Sequence, residues 1–137
     1  MEQLKKCLVS ACLTGLCTRY DGQSKPHADC LQLLTGYHWI PICPEQLGGL
    51  PTPRPPANLV NGDGYDVLAG TAQVIDQHGT DRTEAFVRGA SMVLTIAQAQ
   101  NINLCFLKSR SPSCGLSPLI GVTAALLQNH GIEVVSF

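Results

Sequence analysis

Charge is scarce in this chain. Only 14% of its 137 residues are charged, and nine Lys plus Arg against ten Asp plus Glu leave a net charge of -1. That balance gives no sustained attraction to an anionic polymer or an anionic lipid, so long nucleic acids and membrane surfaces are excluded as expected partners. Long apolar runs are missing as well, and no segment reaches the roughly 20 residues needed to cross a bilayer. The opening MEQLKKCLVSACLTG carries Glu2 near the terminus and too short an apolar run for a secretory signal, which points to the cytoplasm. There is no C-x-x-C pair, which counts against a thiol-redox protein, and no tight zinc-ligand spacing. Internal repeats, low-complexity tracts and a second-domain linker are likewise absent.

What is present is the material of one packed domain. An apolar share of 45% lies far from the disordered regime, and 137 residues suffice for a single hydrophobic core, so residues 1–137 are expected to fold as one domain. Seven cysteines are many for a reducing compartment. The number is odd, so a complete disulfide framework is a poor explanation.

Apolar runs and breakers divide the chain into alternating elements. Lys6 to Ala11 reads as a buried strand, followed by a loop containing Gly15, Asp21, Gly22 and Pro26. The spacing predicts a short helix over His27 to Leu34, stopped by Gly36, and a second strand in HWIPIC, ending at Cys43. Residues 44 to 62 hold so many Pro and Gly that a rigid loop without regular structure is expected. Thr71 to Ile75 is a strand candidate. Thr80 or Asp81 would cap a helix reaching Ala99, with Phe86, Ala90, Val93, Leu94 and Ala97 on one face. Asn103 to Leu107 is a further buried strand, SRSPSCG a second breaker-rich loop, Gly121 to Asn129 a helix stopped by Gly131, and IEVVSF a last strand.

This alternation implies an α/β, Rossmann-like fold: a mostly parallel sheet with helices on both faces. In such sheets a ligand binds beyond the carboxyl ends of the strands. Cys12, Cys43 and Cys114 each follow a predicted strand, so folding would carry all three to that one edge. Loop positions suit thiolate ligands, because exposed backbone amides can bond to the sulfurs. Cys7 and Cys105 fall inside strands and Cys30 inside a helix, where cysteine packs as a small hydrophobe. Cys17 shares the loop of Cys12 and stands as a fallback ligand.

The strings VSACLTG with RYDG, CPEQLGGLPTPRPP, LKSRSPSCG and GVTAALL are similar to those of the bacterial thiouracil desulfidases, a family long regarded as of unknown function. The resemblance spans nearly the whole chain. It implies a 4Fe-4S cluster carried by three cysteines, here Cys12, Cys43 and Cys114, with the fourth iron open. It also implies conversion of 2-thiouracil, or a related small thiolated pyrimidine, to uracil and sulfide. The chain departs from the family pattern twice. Thr18 stands where a further cysteine often follows, with Cys17 one position early, which weakens Cys17 as a ligand. Leu116 to Ile120 is shorter than the usual glycine-rich stretch, so one wall of the pocket is expected to differ.

Thiolates are soft ligands that favour iron-sulfur clusters, and an iron lacking a protein ligand accepts a soft thiocarbonyl sulfur. Attack of water at C2 would then release sulfide with no electron transferred. Glu45, two residues beyond Cys43, is the candidate general acid/base; a solvated loop carboxylate is the plainer role for such a residue. Ser111, three residues before Cys114, is the candidate proton donor; its plainer role is to cap a turn. Ser109 and Ser113 are its alternatives. Lys108, Arg110, Arg54 and Arg19 are candidates for stabilising charge, and Asp21 and Asn58 for binding the pyrimidine edge. Two other readings stay open: a structural zinc or iron-sulfur module closed by Cys12, Cys17, Cys43 and Cys114, and a thiol-based sulfur carrier.

Overall fold

The computed structural model describes residues 4–137. The reading of Glu2 as incompatible with a secretory signal lies outside them. Four strands form a parallel sheet: β1 (Lys5–Ser10), β2 (Tyr37–Ile42), β5 (Leu104–Leu107) and β6 (Glu133–Ser136), in the order β2-β1-β5-β6. A separate antiparallel ribbon is made of β3 (Ala57–Val60) and β4 (Gln73–Asp76). The helices are α1 (Ala28–Leu34), α2 (Pro44–Leu47), α3 (Gly64–Ala69), α4 (Thr83–Ala99) and α5 (Val122–Asn129). No helix among the described residues is long and apolar enough to cross a membrane.

The two-residue period of β1 and β5 explains how the sheet is covered on both faces. Cys7, Val9 and Phe106 point to one side and pack with Cys30 and Leu34 of α1. Leu8, Cys105 and Leu107 point to the other, where Val93 and Ala97 of α4 and Ala124 and Leu127 of α5 meet them. Cys7, Cys30 and Cys105 are each fully buried, as their apolar context predicts. The buried stripe of α4 is Phe86, Gly89, Ala90, Val93 and Ala97. Leu94, expected on that stripe, is only partly buried beside it.

The expectation of an irregular loop over 44 to 62 is corrected. Pro44 starts α2 as its first residue, a position where the missing N–H costs no hydrogen bond, and the later prolines end before β3 begins. The ribbon is a second correction, because the strand expected at 71 to 75 pairs with β3 and not with the main sheet. Helix α3, which no apolar period announced, is held by a reciprocal cap in which the Asp63 and Asp66 side chains each accept a backbone N–H from the other residue. At the start of α4 the cap residue is Arg82, while Asp81 Oδ1 accepts from the Thr83 amide at 2.8 Å.

Helix α2 is seated on α4 through two glycines. A methyl group on Gly89 would overlap the Pro44 carbonyl, and one on Gly48 would overlap that of Ala85. This backbone-to-backbone approach fixes the short helix that follows Cys43. Strand order reverses between β1 and β5: the chain runs outward from β1 to β2, then returns to the other side. Such a switch point leaves a crevice beyond the carboxyl ends of the strands.

Candidate cluster and substrate pocket

That crevice is a cavity of about 360 Å³. Much of its wall comes from the carboxyl ends of three strands and the segments after them: Ser10 to Cys12 at β1, Ile42 to Glu45 at β2, and Lys108 to Pro112 with Cys114 after β5. Cys12, Cys43 and Cys114, as many as 102 positions apart in sequence, all line it. Cys17 does not; it is exposed on the neighbouring loop. The described cysteines are all free thiols.

Burial is the first cause of a raised pKa at each of the three, reaching about 12 for Cys114. For Cys12 and Cys114 the neighbouring sulfurs raise it further, as expected of thiols facing a common space. Other groups work the opposite way and favour thiolate. They are Lys108 and Arg19 for Cys12, the Gln46 amide and Arg54 for Cys43, and the Ser10 hydroxyl for Cys114. The Cys43 side chain closes no ideal cap bond to α2, yet the amides of Gln46 and Glu45 lie near enough to favour its charge.

Ser10 is a site residue that the sequence did not announce. It ends an apolar strand two residues before Cys12, is almost wholly buried, and its Oγ accepts the Lys108 amide at 2.9 Å while lying against Cys114. A lone polar residue closing the run CLVS was the available signal.

Glu45 lines the cavity on the first turn of α2, and its Oε1 accepts from Arg54 Nε at 3.0 Å. Ser111 lines it too. Its Oγ accepts from two backbone amides, those of Ser113 and Cys114, each at 3.1 Å. A hydroxyl has two acceptor sites and one O–H, so only the donor remains free. The turn-capping role and a donor role thus coexist in one side chain. Ser109 also lines the cavity, whereas Ser113 is fully buried with its Oγ 2.8 Å from that of Thr123.

The remaining candidates divide clearly. Arg19, Arg54, Lys108, Arg110 and Asn58 all line the cavity. Asp21 does not; both its oxygens accept from Arg19 at 3.1 Å, so it holds that arginine in place. Tyr20, unremarked in the sequence, stands at the cavity mouth with 43% of its surface exposed. The shortened stretch 116–120 supplies no wall of the main cavity. Ser117, Pro118 and Leu119 line a smaller adjoining one of about 150 Å³.

The donor set fits an iron-sulfur cluster. Three soft thiols spread around a shared cavity, with amides and cations turned to their sulfurs, suit a larger soft-ligand group.

Comparison with known proteins agrees. One curated relative, the uncharacterized protein YbbK of Bacillus subtilis (strain 168), is 39% identical, covering 94% of this chain and 93% of its own. Among solved structures, the [4Fe-4S]-dependent thiouracil desulfidase TudS superposes with a TM-score of 0.74 at 39% identity, covering 96% of this chain and 90% of its own. Residues 7–136 match the model of the family described as 2-thiouracil desulfurase, and the chain belongs to that family.

Proposed function

We propose that this chain, residues 1–137 acting as one domain, is an iron-sulfur enzyme that removes sulfur from 2-thiouracil or a related thiolated pyrimidine by hydrolysis. The observation that carries the reading is the convergence of Cys12, Cys43 and Cys114 on one cavity that also holds Glu45 and Ser111. Kinship with a 4Fe-4S desulfidase supports it.

In this reading Cys12, Cys43 and Cys114 hold a 4Fe-4S cluster. Held there by three thiolates, such a cluster would supply an iron free of protein ligands, a Lewis acid for a soft thiocarbonyl sulfur. The protein's residues do the rest. Ile42, Pro44, Pro56 and Ala57 give the cavity apolar walls that shed water around a flat heterocycle. Glu45, one oxygen fixed by Arg54, uses the other to take a proton from water as that water attacks C2. The C–S bond breaks, the carbonyl forms, and sulfur leaves as sulfide with the protons that water supplied. Ser111 has only its O–H to give, so it serves as a donor to the departing sulfur or to a ring nitrogen. Oxidation states at carbon and sulfur do not change, so no external electron donor is required. Free thiols and a labile cluster suit a reducing compartment, in line with a cytoplasmic location.

The test is anaerobic reconstitution with iron and sulfide, followed by assay of uracil and sulfide release from several thiolated pyrimidines. Stoichiometric uracil and sulfide are expected. Fully loaded protein that releases neither from any of them would refute the reading.

A further inference from the structure

Arg54 is 8% exposed, an unusual burial for an arginine, and every one of its N–H groups has a partner. Nε donates to Glu45 Oε1 at 3.0 Å. Nη1 donates to the Pro51 carbonyl at 3.3 Å and to Thr52 Oγ1 at 2.9 Å. Nη2 donates to the Thr18 carbonyl at 2.9 Å and approaches Cys43 Sγ at 3.9 Å. A guanidinium has five N–H donors, and all five are used, so none is left for a substrate. Its backbone N–H also donates to the Tyr20 carbonyl at 2.8 Å. The same residue therefore grips the loop 18–20 twice and the Cys43–Glu45 wall twice.

We infer that Arg54 is a positioning residue: one buried guanidinium that locks the wall bearing Cys43 and Glu45 to the loop that follows Cys12. The inference rests on the roles given above to Cys43 and Glu45. It assigns Arg54 no contact with substrate and no charge to stabilise there. Only a planar fork can serve acceptors on three chain segments at once. Lysine keeps the charge but offers a single point of attachment. The sequence context PTPRPP makes the same sense, because prolines on both sides stiffen the backbone from which the fork projects.

The test uses Arg54→Lys, Arg54→Gln and Thr52→Val. In metal-free protein, amide exchange over residues 17–20 and alkylation of Cys43, resolved by peptide mass spectrometry, should both rise on the order of tenfold in the arginine variants. Thr52→Val removes one acceptor and leaves the arginine in place, so it should show the same pattern in smaller measure. In reconstituted enzyme, Arg54→Lys should lower kcat by roughly 10²-fold with KM little changed, because a misplaced base loses turnover before binding. An Arg54→Lys enzyme with wild-type kcat and unchanged exchange would overturn the inference. If the arginine variants do not fold, unchanged exchange and alkylation in Thr52→Val would overturn it equally. These metal-free readouts do not depend on desulfidase activity, so an inactive wild-type enzyme would sink the proposed function and leave Arg54 separately tested.

Discussion

Gly89→Ala probes whether the seat of α2 decides the chemistry. A Cβ built on Gly89 lies 2.8 Å from the Pro44 carbonyl carbon and 3.2 Å from the Gly48 amide nitrogen, and both are backbone atoms that cannot rotate away. Ordinary carbon–carbon contact begins at about 3.5 Å, so 3.5 minus 2.8 requires α2 to retreat by at least roughly 0.7 Å. The still closer Pro44 oxygen asks for more. Overpacking of this kind costs about 1–3 kcal/mol, offset by the roughly 1 kcal/mol that alanine gains over glycine in a helix. Because the overlapped atoms are backbone, the cost falls at the upper end of that range, and the net loss of stability is about 2 kcal/mol or more, a fall of several degrees in Tm. Turnover per folded enzyme should fall as well. Glu45 rides on the first turn of α2, and a displacement near 1 Å at a reacting group costs on the order of 10²-fold in rate. Thermal unfolding, iron content and uracil release measured on one preparation separate the two effects. A folded, iron-loaded Gly89→Ala enzyme with wild-type turnover would refute the claim that α2 is held in register by this contact.

Further outcomes follow from the same geometry. Glu45→Gln should keep the iron and lose about 10²–10⁴-fold in kcat, the usual worth of a positioned acid or base; wild-type turnover in that variant would remove Glu45 from the mechanism. Ser113→Ala strands the Thr123 hydroxyl in the core and should cost about 1–3 kcal/mol in chemical denaturation without a matching loss of turnover per folded enzyme. The buried thiols make metal-free protein sensitive to base. Burial pushes Cys105 up to about 12 and Cys7 to about 11 from 9.0. The folded state therefore holds protons that the unfolded chain gives up, and stability falls as pH rises from about 9 toward 12. Urea titrations across that range should show the decline, and Cys105→Ala should flatten it; an unchanged slope would discount Cys105 as its source.

The sheet and the placement of three cysteines at its edge were legible because both rest on strong local signals. Buried strands read as apolar runs, Cys12 and Cys43 stand where two of them end, and Cys114 lies in the breaker-rich loop that follows a third. The four family motifs supplied the rest. What stayed hidden depends on distant partners. Pro44 looks like a breaker until its place as the first residue of α2 is seen, and Gly48 and Gly89 look incidental until the two backbones meet. Ser111, Ser109 and Ser113 cannot be told apart in the string SRSPSCG; only the pairing of Ser113 with Thr123, ten residues on, turns that hydroxyl away from the pocket. Arg54 and Asp21 show the same limit. One is a fully engaged cross-link and the other the anchor of Arg19, roles set by contacts that spacing does not encode.

The most direct test of the account is the iron and acid-labile sulfide content of anaerobically reconstituted Cys12→Ser, Cys43→Ser, Cys114→Ser and Cys17→Ser beside the wild type. The wild type and Cys17→Ser should each carry about four irons and four sulfides per chain, and the other three variants should carry little of either. Full loading of any one of those three, or its loss in Cys17→Ser, would contradict the assignment of the cluster to Cys12, Cys43 and Cys114.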